Sequence, residues 1–360
     1  MFSNISAIQS GSFRRCILHD RMNRLRTTLQ SARIWIYPRV DGILDMASSI
    51  ALALAPVFFT MAVGFVAGRA RLTDNHNVES LNSLTMTFAL PLALFTAMAT
   101  APRTMVLQQG PLFLIVATVF LSIFFGWFLL ARFVIRSESG EAALQSLTVA
   151  LPNLAGVTLP VAMHILGHEG VVQVAVSLAA GSLTISPLAL LISELASEKA
   201  ETKSPLAAKI ARALLHALTA PVVLGPLLGL AVSLTGLPLG KIVTDSFSQL
   251  GSAAAGLALF LSGLVLSAQP LRLDWRAIIG TLVADVVRPA VAIAIVLAFA
   301  VPMEIGRIAI LMAAGPSGFF GILFAVKFHR DSSVIGTTVI VSTLFGAVTL
   351  SLIIAVLFHA

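Results

Sequence analysis

Ten apolar stretches divide the chain, at about 48–68, 79–100, 111–131, 144–166, 170–192, 213–234, 248–268, 277–300, 305–328 and 334–358, with polar residues gathered between them. Each is long enough to cross roughly 30 Å of hydrocarbon as a helix, so the pattern predicts ten transmembrane helices. The alternating ten-residue segments of a transmembrane β-barrel are absent from the sequence. Composition points the same way. With 58% hydrophobic and 11% charged residues and a mean hydropathy of +0.97, there is too little polar material to clothe a soluble globule of this length.

The stretches repeat. Ala55-Pro56-Val57 followed by Gly64 returns 165 residues later as Ala220-Pro221-Val222 followed by Gly229. At the same offset Pro91-Leu92-Ala93-Leu94-Phe95 returns as Gly256-Leu257-Ala258-Leu259-Phe260, and Thr184-Ile185-Ser186 as Thr349-Leu350-Ser351. One such match would be coincidence in a low-diversity sequence; three in register with five spans per copy argue for duplication. An odd number of spans per copy turns the second copy over in the membrane. The expected fold is therefore an all-α integral membrane protein of two inverted five-helix repeats. It divides into a basic extension (1–46), a first repeat (47–193), a mixed-charge cytoplasmic linker (194–212) and a second repeat (213–360).

Spans four and nine are broken in matching places. The first reads Leu151-Pro152-Asn153-Leu154-Ala155-Gly156-Val157-Thr158-Leu159-Pro160, and the second Ala313-Ala314-Gly315-Pro316-Ser317-Gly318-Phe319-Phe320-Gly321. Proline removes a backbone donor and pushes the residue before it out of helical geometry. Open backbone in a bilayer persists only where protein or a water-filled cavity satisfies it. The two breaks are thus expected to face each other near the midplane, with half-helix N-termini that attract an anion. A pair of ordinary proline kinks is the plainer alternative.

Loop charge orients the chain. Alternate loops hold Arg69, Arg71, Arg132, Arg136, Lys199, Lys203, Lys209, Arg212, Arg272, Arg276, Lys327 and Arg330 on one side, against Arg103, Lys241 and Arg307 on the other. The positive-inside rule puts the first set in the cytoplasm, with Ser48 and Ala360 facing outward. It also accounts for the net charge of +7 without nucleic acid. The first 45 residues conflict with this orientation, since they carry seven arginines from Arg14 to Arg39. Three readings stand: translation begins at Met46, the tail is an Arg- and Ser-rich presequence, or it is a cytoplasmic tail that inverts the topology.

Few residues can carry chemistry at depth. Asp285 lies well inside span eight and Arg288 follows three residues later; intramembrane charge marks a functional site by default. That spacing on an α-helix would let the two neutralise each other as a structural pair. The functional alternative makes Arg288 a substrate counter-ion and Asp285 a proton-coupled group. Asn153 offers both donor and acceptor, to a carboxylate or to freed backbone. Thr158 and Ser317 bring hydroxyls at similar depth, which would otherwise bond their own preceding turn. Gly315, Gly318 and Gly321, three residues apart, would admit a close helix neighbour. His164 and His216 fall near span ends. The lone Cys16 makes no internal disulfide. Metal-ligand spacings, a phosphate-cradling glycine loop, a serine elbow and a second intramembrane carboxylate are all missing from the sequence. An enzyme, a metal centre and a bound cofactor are not expected.

The broken spans resemble the auxin efflux carrier family, including its bacterial malonate-carrier-like branch, over about residues 47–360. Leu151, Pro152, Asn153 and Pro160 match the span-four motif of plant members, although Thr158 stands where they carry glycine and Gly156 lies two residues earlier. Pro316, Gly318, Phe324 and Ala325 match the span-nine motif, with Gly321 in place of a second proline. The resemblance implies ten helices, broken helices four and nine crossing at the substrate site, a homodimer, and secondary transport of an organic anion. The departures at Thr158 and Gly321 point away from a plant-hormone substrate. The expected protein is a carrier of a malonate-like mono- or dicarboxylate in the inner (plasma) membrane. Its substrate would be held by Asn153, Gly156, Thr158, Pro160, Pro316, Ser317, Gly318 and Arg288, with Asp285 as the coupling group. A sodium-coupled carrier of bulkier amphipathic anions and a non-transporting anion sensor are the alternatives.

Overall fold

A backbone that leaves water must bond to itself, and apolar runs of this length do so as helices. In the computed structural model, described for residues 54–358 apart from 76, 197–205, 237–238, 270–273, 329 and 331–332, no strand occurs among the described residues. The basic extension and its three readings lie outside them. The helices are α1 (Leu54–Arg69), α2 (Glu79–Thr100), α3 (Arg103–Val134), α4 (Ser139–Ala150), α5 (Leu154–Leu166) and α6 (His168–Leu195). After the linker come α7 (Leu206–Thr219), α8 (Pro221–Thr235), α9 (Lys241–Ala268), α10 (Trp275–Ala298), α11 (Met303–Ala314), α12 (Phe320–Lys327) and α13 (Ser333–Phe358).

Six of these, α2, α3, α6, α9, α10 and α13, are long and apolar enough to cross a membrane, and α1, α5 and α8 are shorter apolar helices. The protein is thus an all-helical, multi-pass membrane protein. Spans four and nine, expected as broken, each appear as two helices in line of sequence, α4 with α5 and α11 with α12. The amphipathic α7 begins at Leu206, inside the stretch taken for a linker, so the residues from 206 to 212 are helical.

The helices pack in two sets. In one, α2 lies along α8 and the first half of α9, and α1 crosses α9. In the other, α3, α4 and α6 pack together, α10 lies against α3, α11 and α13, and α12 lies on α4. The sets meet where α6 touches α2 and α8, and where the start of α5 touches α9. A shared core of Met61, Leu144, Leu261, Phe319, Ile322 and Val339 joins α1, α4, α9, α12 and α13.

Lipid tails are as apolar as leucine, so close approach through small residues drives helix association in a bilayer. Here it happens twice, in mirrored fashion. A Cβ on Gly64 would collide with the carbonyl of Phe260, and one on Gly229 with the carbonyl of Phe95. Gly229 is Gly64 displaced by 165 residues, and Phe260 is Phe95 displaced by the same number. Each half of the chain therefore presents a glycine to a phenylalanine backbone of the other half.

Side-chain contacts tie several helix ends and loops together. Asn75 Nδ2 donates to Ser267 Oγ at 2.8 Å. Arg330 pairs with Glu138 at 2.8 Å and donates to the Ala196 carbonyl at 3.1 Å. These join the loops that carry most of the lysine and arginine. At the other ends, Ser233 donates to the Ala101 carbonyl at 3.0 Å, Thr100 meets His168 at 3.3 Å, and Arg307 lies over the Phe358 ring.

The glycine contacts lead to a direct expectation. Gly64→Ala and Gly229→Ala each force helix backbones apart and should cost about 1–3 kcal/mol, as overpacking does, whereas Gly110, with open space at its Cβ, should tolerate alanine. Thermal melts of the three purified variants check this; equal melts would refute it.

Candidate functional site: the crossing of the two broken helices

Both breaks open at the residue before a proline. Leu151, ahead of Pro152, and Gly315, ahead of Pro316, adopt extended backbone, the conformation that proline imposes on its predecessor. The two extended segments then run antiparallel. Asn153 N–H donates to the Pro316 carbonyl at 2.7 Å, and Gly318 N–H donates to the Leu151 carbonyl at 2.9 Å, making an isolated bridge between Pro152 and Ser317. Each break thus supplies the partners that the other lost, and the expectation that they meet in the interior holds.

The breaks differ in length. Asn153 turns its own side chain back, Oδ1 accepting from Gly156 N–H at 2.9 Å, so the helix restarts at once with a π-helical turn over Leu154–Thr158. Gly156, Thr158 and Pro160 were expected in unwound chain; they lie instead inside the helix, because this side-chain cap removes the need for unwinding. Pro160 directly follows the π-turn, the kind of local irregularity at which a helix takes up a proline. The second break stays open for longer, and α12 restarts only at Phe320. Gly315, Gly318 and Gly321 all face span four. Their Cα positions abut Thr158, the Leu151 and Pro152 carbonyls, and Thr148 respectively.

Arg288 is wholly buried, and it does not pair with Asp285. Its Nε donates to the Ala313 carbonyl at 2.7 Å, its Nη1 to the Val149 carbonyl at 2.6 Å, and its Nη2 to the Gly315 carbonyl. Val149 and Ala313 lie in the last turns of α4 and α11, so one guanidinium closes the C-terminal ends of both half-helices, where their carbonyls concentrate negative charge. Among the described residues no ion pair joins Asp285 and Arg288 directly, though the two charges still attract each other. A π-helical turn over Val283–Val287 winds through i→i+5 bonds, which turns side chains three apart further from each other than α-helical winding would.

Asp285 reaches the same break through different partners. Its Oδ1 accepts from Ser342 Oγ at 2.7 Å, and Ser342 Oγ in turn accepts from the Ser317 N–H at 2.8 Å, ahead of α12. Three buried oxygens close to the crossing have no partner among the described residues: Asp285 Oδ2, Ser317 Oγ and Thr158 Oγ1. Neither hydroxyl makes the bond to its preceding turn that was expected of it. Unpaired buried polar atoms are costly, on the order of 1–3 kcal/mol each, so three of them among the residues of the crossing call for an explanation. His164 is exposed at the end of α5; the side chain of His216 lies outside the described residues. No His, Cys, Asp and Glu cluster among the described residues could hold a metal ion.

Sequence reasoning named Asn153 and Asp285 but missed the residues that hold them, Ser262 and Ser342. Ser342 carried a signal: it stands 165 residues after Ser177, at the offset of the repeat. Ser262 carried none, since its counterpart at that offset is Ala97.

Apolar helices broken in the membrane and cross-bonded at their breaks, with buried charge at the crossing, define a membrane transporter. The chain belongs to the membrane transport protein family, whose sequence profile matches residues 49–354, and which is the auxin efflux carrier family that its motifs resemble. It is similar to the uncharacterized transporter YfdV of Escherichia coli strain K12, with 26% identity over 280 residues that cover 77% of this chain and 87% of the relative. Proteins of the same description from Escherichia coli O157:H7 and Shigella flexneri match to the same extent.

The role of Arg288 gives a clear expectation. Arg288→Met leaves three buried carbonyls without donors and should cost about 3 kcal/mol or more, Arg288→Lys should fall between because it keeps the charge but not the planar fork, and Asp285→Asn should cost much less. Thermal unfolding of the three variants decides it; equal losses for Arg288→Met and Asp285→Asn would restore the ion pair as the structural unit.

Proposed function

We propose that the protein is a secondary active transporter of a small organic anion, a malonate-like mono- or dicarboxylate, working by alternating access at the crossing of the broken helices. The observation that carries this reading is the antiparallel bridge between Pro152 and Ser317, which sets two half-helix N-termini, α5 and α12, beside buried unpaired hydroxyls. Amide and hydroxyl donors at a positive helix pole suit a carboxylate. Asn153, Gly156, Thr158, Pro160, Pro316, Ser317 and Gly318 form this region. Arg288, its fork directed at carbonyls, contributes positive field rather than direct contact.

The reading includes ten spans in two inverted repeats of five. The reciprocal contacts of Gly64 with Phe260 and Gly229 with Phe95, each reached from the other by the 165-residue offset, support it, as does the pairing of α4 with α5 and α11 with α12 as two broken spans. The membrane is the inner (plasma) membrane, with both ends of the transmembrane core outside, as the loop arginines and lysines favour. The protein works as a carrier without enzymatic chemistry or cofactor, and as a homodimer.

Asp285 is the coupling group in this mechanism. Its Oδ2 has no hydrogen-bond partner among the described residues, and its Oδ1 reaches the segment ahead of α12 through Ser342, so gain or loss of a proton there acts directly on one broken helix.

Proteoliposomes loaded and diluted into labelled malonate, succinate or acetate, with and without a proton gradient, should show saturable uptake that the gradient drives. No saturable flux of any organic anion would overturn the reading. In the same vesicles Asp285→Asn should abolish gradient-driven uptake and keep anion exchange; driven uptake at the native rate would remove Asp285 from the coupling.

A further inference from the structure

Where α1 and α9 end side by side, away from the crossing, a cavity of about 590 Å³ opens between Arg69, Arg71, Thr73 and Asp74 on one side and Ser267 and Ala268 on the other. We propose that this cavity binds the phosphate of an anionic phospholipid whose acyl chains lie along α1.

The walls of the cavity are joined by the protein itself. Gly68 lies so close to α9 that a Cβ there would collide with Ser267 Oγ, and Asn75 Nδ2 donates to that same oxygen at 2.8 Å. Asp74 Oδ1 accepts from the Asn77 N–H at 3.1 Å, within the loop. Two guanidinium groups against one carboxylate leave the cavity net positive, and a guanidinium fork matches two phosphate oxygens at once. The Arg69 guanidinium stands over the Phe65 ring, 5.5 Å from its centre, which holds its charge at the helix end.

Arg71 occupies its place at a cost. Its φ is +58°, a left-handed conformation that glycine adopts freely and other residues seldom do. At the 165-residue offset stands Gly236, which ends α8 with φ +70°, and the counterparts of Arg69 and Asp74 are Leu234 and Leu239. Such a helix end can therefore be built from glycine and apolar residues. An excess of positive charge on one face of the membrane could be met at any neighbouring position, and it does not call for a side chain in left-handed backbone. A ligand for the guanidinium supplies the reason.

The surface leading to the cavity makes that ligand a lipid. Phe59, Val63 and Val66, respectively 71%, 43% and 60% exposed, succeed one another at helical spacing along α1, an apolar row that ends beside the two arginines. In a bilayer such a row meets acyl chains, and basic groups where a helix leaves the hydrocarbon attract anionic headgroups. A free phosphate would use the arginines alone.

Native mass spectrometry of the purified full chain, titrated with phosphatidylglycerol in neutral detergent, tests the site. One lipid should bind ahead of the rest, and Arg69→Gln combined with Arg71→Gln should weaken that binding by roughly 10- to 30-fold. Arg136→Gln, also at positive φ but outside the cavity, should change it by less than about 2-fold. Arg71→Gly relieves the backbone, so it should melt no lower than native without lipid and still bind the lipid roughly 5-fold more weakly; it carries the test if the double variant does not fold. Native affinity in the arginine variants, or equal binding of phosphatidylcholine, overturns the proposal. Displacement of the lipid by millimolar inorganic phosphate overturns it too, in favour of a free phosphate as the ligand.

Discussion

Unpaired peptide groups in hydrocarbon are the constraint on which the rest of this structure depends. A proline in a transmembrane helix strands the groups around it, and a lone broken helix would have to hold water or lose its fold. Here two breaks meet and exchange two backbone bonds, Asn153 to Pro316 and Gly318 to Leu151. Neither break is tenable without the other. The glycines of the second break follow from this requirement, because backbones that bond to each other must come close, and side chains at Gly315 or Gly318 would prevent it.

The same meeting brings like helix poles together. The C-terminal ends of α4 and α11 converge, which is unfavourable unless a cation stands between them. Arg288 fills that place, and its planar fork suits several carbonyls at once in a way that a lysine ammonium does not. The Asp285–Ser342–Ser317 chain brings negative charge toward the opposite pole at the start of α12. Two charges three residues apart, with a π-turn running through the first of them, thus bond to different partners at the same crossing.

Much of this was legible in the sequence. Pro152 and Pro316 disclosed the breaks, because proline acts on its neighbour through local sterics that need no tertiary context. The 165-residue offset disclosed the pairing of Gly64 with Gly229. What the sequence concealed were side-chain directions. Asn153 was ambiguous between cap and ligand, and only its distance to Gly156 resolves how Oδ1 is used. Arg288 looked like the partner of Asp285 on the assumption of uniform α-helical winding, and a π-turn has no dependable sequence mark. The restart of helix at Leu154 was hidden for the same reason: prolines at 152 and 160 suggest one long unwound stretch until the cap is seen.

A residue lying between two facing half-helices needs to occur only once. Arg288 bonds the ends of both, one from each half of the chain, while its counterpart at the 165-residue offset is Ile123, buried and apolar. A second arginine at that spot would crowd the first, like charge against like. The halves of the chain are therefore unequal there: one supplies the pin, and the ends of both are fastened by it.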